Sequence, residues 1–172
     1  TAAHSTLVIS DTNSVNISER GIRTEVAFLN QSNRQEEAGS SVVESWHDAY
    51  VTLFGLRHGR AIYVSADGSQ IRGEDSLVAV NETGRHAWQF CVRFHLHPQV
   101  NASVATDGVS ALLRLPHGAG MRFRSSSTVV LEESVYLGSS EGVRSSQQLV
   151  IHGQTDPAGL NILKWGFTVY SR

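Results

Sequence analysis

The sequence predicts an all-β fold: an antiparallel β-sandwich of stacked, supersandwich-like sheets with about twelve strands. Three observations carry the prediction. Helical periodicity is absent, short β-branched and aromatic runs recur between turn residues, and one run alternates apolar with polar side chains without a break.

The runs follow in order. Thr6 to Ser10 is built on Leu7, Val8 and Ile9, and Ile22 to Leu29 adds Val26 and Phe28. Ser41 to Trp46, Ala61 to Val64 and Ser76 to Val80 are short and rich in the branched or aromatic side chains that suit a pleated surface. Trp88 to His97 is the clearest strand. Trp88, Phe90, Val92, Phe94 and Leu96 alternate there with Gln89, Cys91, Arg93, His95 and His97. Period two assigns the first set to the core and turns Arg93, His95 and His97 to a polar or ligand-facing surface. Pro98 ends that ladder because it brings no donor. Ala102 to Thr106, Ala111 to Leu115, Met121 to Arg124, Thr128 to Val135, Gln147 to His152 and Leu160 to Val169 complete the set. Ala66-Asp67-Gly68, Thr106-Asp107-Gly108 and Pro116-His117-Gly118 read as hairpin connections. Asn30 to Ser40 is polar and aperiodic, and reads as an exposed loop. No internal repeat or linker divides the chain, so residues 1–172 are read as one domain, truncated at its N-terminal side.

Composition narrows the function classes. With 40% apolar and 17% charged residues the chain can bury a core, which excludes a disordered segment. A formal net charge of -2 gives no overall pull toward nucleic acid or an anionic membrane, and no run is long and apolar enough for a membrane span. Every basic residue but Lys164 is arginine, the side chain suited to two-pronged contacts with carboxylate or sulfate. Cys91 stands alone, so no disulfide forms within the chain.

Several clusters could carry chemistry. His4 precedes the first run and is a conceivable zinc ligand, but zinc takes three or four protein donors or leaves a position to water, so one histidine defines no site. His95 and His97 share a strand face roughly 6.5 to 7 Å apart. They could converge on a metal, line a cleft or pack against another layer, and Arg93 beside them favours an anion. In Trp46-His47-Asp48-Ala49-Tyr50, neighbouring side chains on a strand point opposite ways, which weakens a His47–Asp48 dyad. Tyr50 would need a cationic setting to act as a base at neutral pH. Phe54 to Arg60 gathers Arg57, His58 and Arg60 beside glycines; it could steer an acidic glycan or form an exposed turn. Arg72-Gly73-Glu74-Asp75 reads as a salt-linked strand entrance. The sequons at Asn16, Asn30, Asn81 and Asn101 are read as chance, and no nucleophile elbow or phosphate loop occurs.

Ala3-His4-Ser5-Thr6-Leu7, Glu44 to Tyr50, Gly55 to Arg60 and Phe94-His95-Leu96-His97-Pro98 together resemble the C-terminal part of the heparinase II/III-like family. The resemblance continues through Gly73-Glu74-Asp75, Leu113 to Pro116 and Glu132 to Tyr136. It implies a polysaccharide lyase or a relative of one, with an N-terminal α/α toroid followed by stacked antiparallel sheets, of which this chain holds sheet only. His4 would supply one zinc ligand. The other ligands, the catalytic tyrosine and a catalytic histidine would lie upstream, so none of Tyr50, Tyr63, Tyr136 or Tyr170 inherits a catalytic role. Ser5 stands where many relatives have asparagine.

The expectation is therefore a non-catalytic sheet domain of a lyase that cleaves a uronic-acid glycan by β-elimination. Alone it would be inactive, with its zinc site incomplete or empty. Arg93, His95, His97, Arg57 and His58 are the expected cleft-lining residues. An acidic polysaccharide and the toroid are the expected partners, and a homodimer is left open. The resemblance favours a periplasmic or extracellular setting. The alternative is a stand-alone carbohydrate-binding or interaction sandwich.

Overall fold

A computed structural model describes residues 2–18, 21–23, 30–116, 118–138 and 142–170. Fourteen strands run through the described residues, and twelve of them build two antiparallel sheets. The smaller sheet has the order β1-β8-β13-β12: Leu7–Ile9, Gln89–His95, Arg144–Gln154 and Val130–Tyr136. The larger has the order β4-β5-β6-β7-β14-β11-β10-β9: Asn30–Glu37, Ser40–His47, Leu56–Val64, Gln70–Ala79, Asn161–Tyr170, Gly120–Ser125, Ser110–Arg114 and Asn101–Val104. β2 (Asn16–Ser18) and β3 (Gly21–Arg23) form a separate hairpin, and α1 (Val51–Phe54) is the one α-helix among the described residues.

The inner faces meet as the alternation in β8 predicts. Val92, Phe94 and Leu96 are buried together with Leu149 and Ile151 of β13. Against them the larger sheet sets Leu56, Leu77, Phe123, Leu163 and Trp165. Phe94 lies 4.8 Å from the Trp165 ring, 5.1 Å from Phe123 and 5.6 Å from Phe167 by ring centroids, all edge-on or tilted, the geometry the ring quadrupole favours. On the other side of the smaller sheet, Val8, Cys91 and Val150 form a separate buried cluster.

Three expectations change. Asn30 to Ser40 is not a loop: Asn30–Glu37 pairs with β5 as an edge strand, exposed at every residue. A strand wet on both faces has no reason to alternate, so period two could not reveal it. Ala38 and Gly39, at φ 48° and 82°, make its tight turn. The segment from Phe54 is no exposed turn either, because Gly55 caps α1 at φ 65° and β6 starts at once at a fully buried Leu56. Arg72 to Asp75 lies in the middle of β7 and is not its entrance. Of the run Ile22 to Leu29, residues 24–29 lie outside the described residues, as does His117 of the third predicted turn. The three turns do connect antiparallel strands, with Gly68, Gly108 and Gly118 at positive φ.

Candidate functional site

Asp75 is the centre of a buried polar network. It sits on the face of β7 that carries Ile71 and Leu77 inward, and it is 1% exposed. A carboxylate in that place must be paired. Arg60, directly opposite on β6, grips it with both prongs, Nε to Oδ1 at 2.8 Å and Nη2 to Oδ2 at 2.9 Å. Trp165 Nε1 of β14 donates to Oδ2 and His58 Nε2 to Oδ1, both at 2.8 Å. Burial is the largest influence and pushes the Asp75 carboxyl up. The hydrogen bonds and charges of His58 and Arg60 outweigh it and hold the group below the ordinary carboxylate range.

From Asp75 the network runs through two histidines. His58 Nε2 is committed to the carboxylate, which leaves Nδ1 to accept from His47 Nε2 at 3.1 Å. His47 Nδ1 in turn accepts the Ala49 backbone N–H at 3.3 Å. Each donor meets an acceptor only if His47 is neutral with its proton on Nε2. Burial, and then the proximity of His58, lower its pKa to about 4, in keeping with a neutral ring. The relay ends on a backbone N–H, so no basic nitrogen is left over to take a proton from a substrate.

In the other direction the network holds the N-terminal segment. Arg60 Nη1 donates to the Ser5 carbonyl at 2.6 Å. From the smaller sheet, the His95 backbone N–H donates to Ser5 Oγ at 3.0 Å, and the His95 ring contacts the Ala2 carbonyl at 3.0 Å and Ser134 Oγ at 2.8 Å. Tyr50, fully buried, donates from its hydroxyl to the Leu7 carbonyl at 3.2 Å. Residues 2–7, which carry His4, are thus tied to both sheets. Burial raises the Tyr50 phenol to about 12, which rules it out as a base near neutral pH.

The predicted site residues separate. His58 is 3% exposed and belongs to the network. Arg57, next to it, points to the outer surface of the larger sheet. There Asp48 holds it at 2.5 Å, and its guanidinium lies 5.3 Å from the ring of Trp46, which is 44% exposed. The Arg57 guanidinium keeps the Asp48 carboxyl below its ordinary range. Asp48 therefore serves Arg57 and not His47 by contact. Arg93, His95 and His97 lie on the opposite surface of the sandwich. Arg93 donates to Cys91 Sγ and faces Asp11 at 3.8 Å, while His97 packs its ring 5.0 Å from that of Tyr136. One straight cleft cannot touch both Arg57 and Arg93, because the core lies between them.

Trp46 and Arg57 border a hollow of about 340 Å3, with Glu44, Glu74 and Arg60 also on its wall. Gly59 keeps the floor open, since a Cβ there would lie 2.7 Å from Ser76 Oγ. For a metal, His4 is exposed, and no group of three or more His, Cys, Asp or Glu side chains gathers to hold an ion among the described residues. These residues do not form a zinc site by themselves.

The sequence singles out Arg60 only as part of a glycan-steering or turn segment and Asp75 only as part of a salt-linked strand entrance, and it does not single out Trp165. A signal for them existed. Ile71, Asp75 and Leu77 share one phase of β7, and Leu56, His58, Arg60 and Ile62 share one phase of β6. A charge in phase with core residues on two adjacent strands marks a buried pair.

The family model "Heparinase II/III-like, C-terminal" matches residues 1–166. The chain belongs to that family. Among curated proteins, FtsZ-localized protein C of Caulobacter vibrioides (strain NA1000 / CB15N) is 32% identical over 145 residues, 80% of this chain and 25% of that protein. Among solved structures, the heparan sulfate lyase HepC from Pedobacter heparinus superposes with a TM-score of 0.74 at 14% identity, over 99% of this chain and 24% of its own. A heparinase III structure gives 0.64 at 14% identity, over 96% of this chain and 23% of its own. This heparinase-related sheet domain therefore spans about a quarter of the length of these relatives.

Proposed function

We propose that this heparinase II/III-like chain is the non-catalytic sheet domain of a longer lyase that cleaves a uronic-acid glycan by β-elimination. The observation that carries the reading is the double anchoring of residues 2–7, in which Arg60 and His95 hold the His4-bearing segment between the sheets. A segment gripped from both sheets and tied to a buried carboxylate is built to present its residues in a fixed place. In β-elimination a base removes the proton next to the uronate carboxylate, and an acid protonates the departing glycosidic oxygen. Stabilising the charge that develops on the carboxylate is the demanding step. Neither the histidine relay nor Tyr50 offers a usable base, and on this reading the domain shapes one wall of the cleft while the toroid of the longer protein supplies the proton chemistry.

His4 gives one ligand to a zinc ion whose other donors come from the longer protein, and the ion organises the sheet surface. Replacing His4 with alanine in the intact protein lowers bound zinc; unchanged stoichiometry rejects the ligand. The reaction itself is tested by incubating the intact protein with heparin, alginate and chondroitin-type polymers and following absorbance of the unsaturated product. If no polymer yields that chromophore, the lyase reading falls.

A second reading follows from the relative named for its localisation with FtsZ. On that reading the sandwich is an interaction module without lyase activity. Co-localisation of the intact protein with FtsZ, together with a silent lyase assay, favours it.

A further inference from the structure

We propose that the outer face of the larger sheet binds an anionic polysaccharide strand laid across β6, β7, β14, β11 and β10. The polymer class rests on the lyase reading above; the site rests on the face itself. Although the chain carries a formal net charge of -2, the outward positions of β7, β14, β11 and β10 hold Arg72, Lys164, Arg122, Arg124 and Arg114 against one acid, Glu74. Glu74 is taken by Lys164 at 3.8 Å. Arg72, Arg114, Arg122 and Arg124 have no ion-pair partner among the described residues. Asp107 feels the Arg124 charge, but the Ser110 hydroxyl and the Val109 and Ser110 backbone N–H groups engage its carboxylate.

The face also has the shape of a track. Hollows of about 340, 410, 520 and 510 Å3 succeed one another across the strands. Each shares residues with the next: Ala61 and Glu74, then Arg72 and Lys164, then Tyr170. At the middle, Arg72 and Arg124 flank Gly166 in register, about 9.6 Å apart by two interstrand spacings. Gly166 leaves a notch between them, and a Cβ there would lie 3.1 Å from the Ile71 carbonyl oxygen. The Arg72 guanidinium carbon lies over Tyr63, 4.5 Å from the ring centroid, a contact that holds the side chain on this face where its N–H groups can reach a carboxylate or sulfate.

The spacing selects the polymer. Nucleic acid carries a phosphate about every 3.4 Å along each strand, far denser than these arginines. A glycan with charge on alternate sugars matches two arginines separated by an uncharged notch, and Ser76, Thr168 and Tyr170 offer hydroxyls to the sugars between.

The test is equilibrium binding of a labelled, unsulfated oligosaccharide of alternating glucuronate and N-acetylglucosamine to the intact protein at low salt. The R72Q/R124Q variant is expected to bind about tenfold more weakly, while R85Q, an exposed arginine elsewhere, binds as the parent does. Alginate and chondroitin-type competitors separate carboxylate from sulfate recognition. Undiminished binding by R72Q/R124Q overturns the proposal. So does a single-stranded DNA of matched charge that competes as well as that oligosaccharide, or a variant that keeps its affinity but loses thermal stability, which marks the face as a domain interface. Failure here is distinct from failure of the lyase reading: the variant's binding can stay intact in an active lyase, and a protein that cleaves nothing can still lose binding through these two arginines.

Discussion

At the scale of single residues, the buried network makes the domain sensitive to acid. The folded protein lowers the His47 pKa from 6.5 to about 4, so folding favours the neutral ring. Its contribution is complete above pH 6.5 and is lost as the pH falls from 6.5 toward 4. The Asp75 carboxyl is also held below its ordinary value of 3.8, and its contribution disappears at still lower pH. Melting temperature is therefore expected to decline from about pH 6.5 downward, and His47→Gln flattens the upper part of that decline. An unchanged pH profile in the variant counts against the relay. Asp75→Asn removes the counterion of a mostly buried Arg60. Because breaking one half of a buried pair leaves an uncompensated charge, the loss is about 3 kcal/mol, readable as a lower denaturant midpoint.

At the scale of elements, β7 and β14 meet where a glycine makes room for a ring. A Cβ on Gly73 would lie 2.1 Å from Trp165 Cζ2, and that ring cannot swing away without breaking its bond to Asp75. Gly73→Ala is expected to cost about 2 kcal/mol through overpacking. It should also shift tryptophan fluorescence, and a parent-like melt would show that the ring has freedom the contacts deny. These elements also show how far the sequence could be read. β8 was legible because one face is core and the other is not. β4 is hidden because both its faces are wet, and the local pattern makes β6 too short because His58 and Arg60 resemble surface groups. Arg57, His58, Arg93, His95 and His97 were all recognised as notable, but their division between two outer faces and the interior depends on which sheet each strand joins. The register that sets His47 opposite His58 and Asp75 opposite Arg60 gives both residues their partners, and no local pattern contains it.

At the scale of the molecule, the two sheets are one packing unit. Phe94 of the smaller sheet sits among Phe123, Trp165 and Phe167 of the larger, so neither inner face is covered without the other. Phe94→Ala should cost about 3–5 kcal/mol and lower circular dichroism and tryptophan transitions together; separate transitions would mean that the sheets unfold independently. The sequence by itself determined the class of fold, most of the strands and the family, because alternation and turn chemistry are local and survive in one dimension. Only the tertiary structure decided that His58, Asp75 and Arg60 form a buried anchor, that the expected cleft residues lie on opposite surfaces, and that five cations gather on one sheet face. Those outcomes depend on strand order and register, which bring together residues 90 and more positions apart according to how buried charge and apolar area are satisfied as a whole.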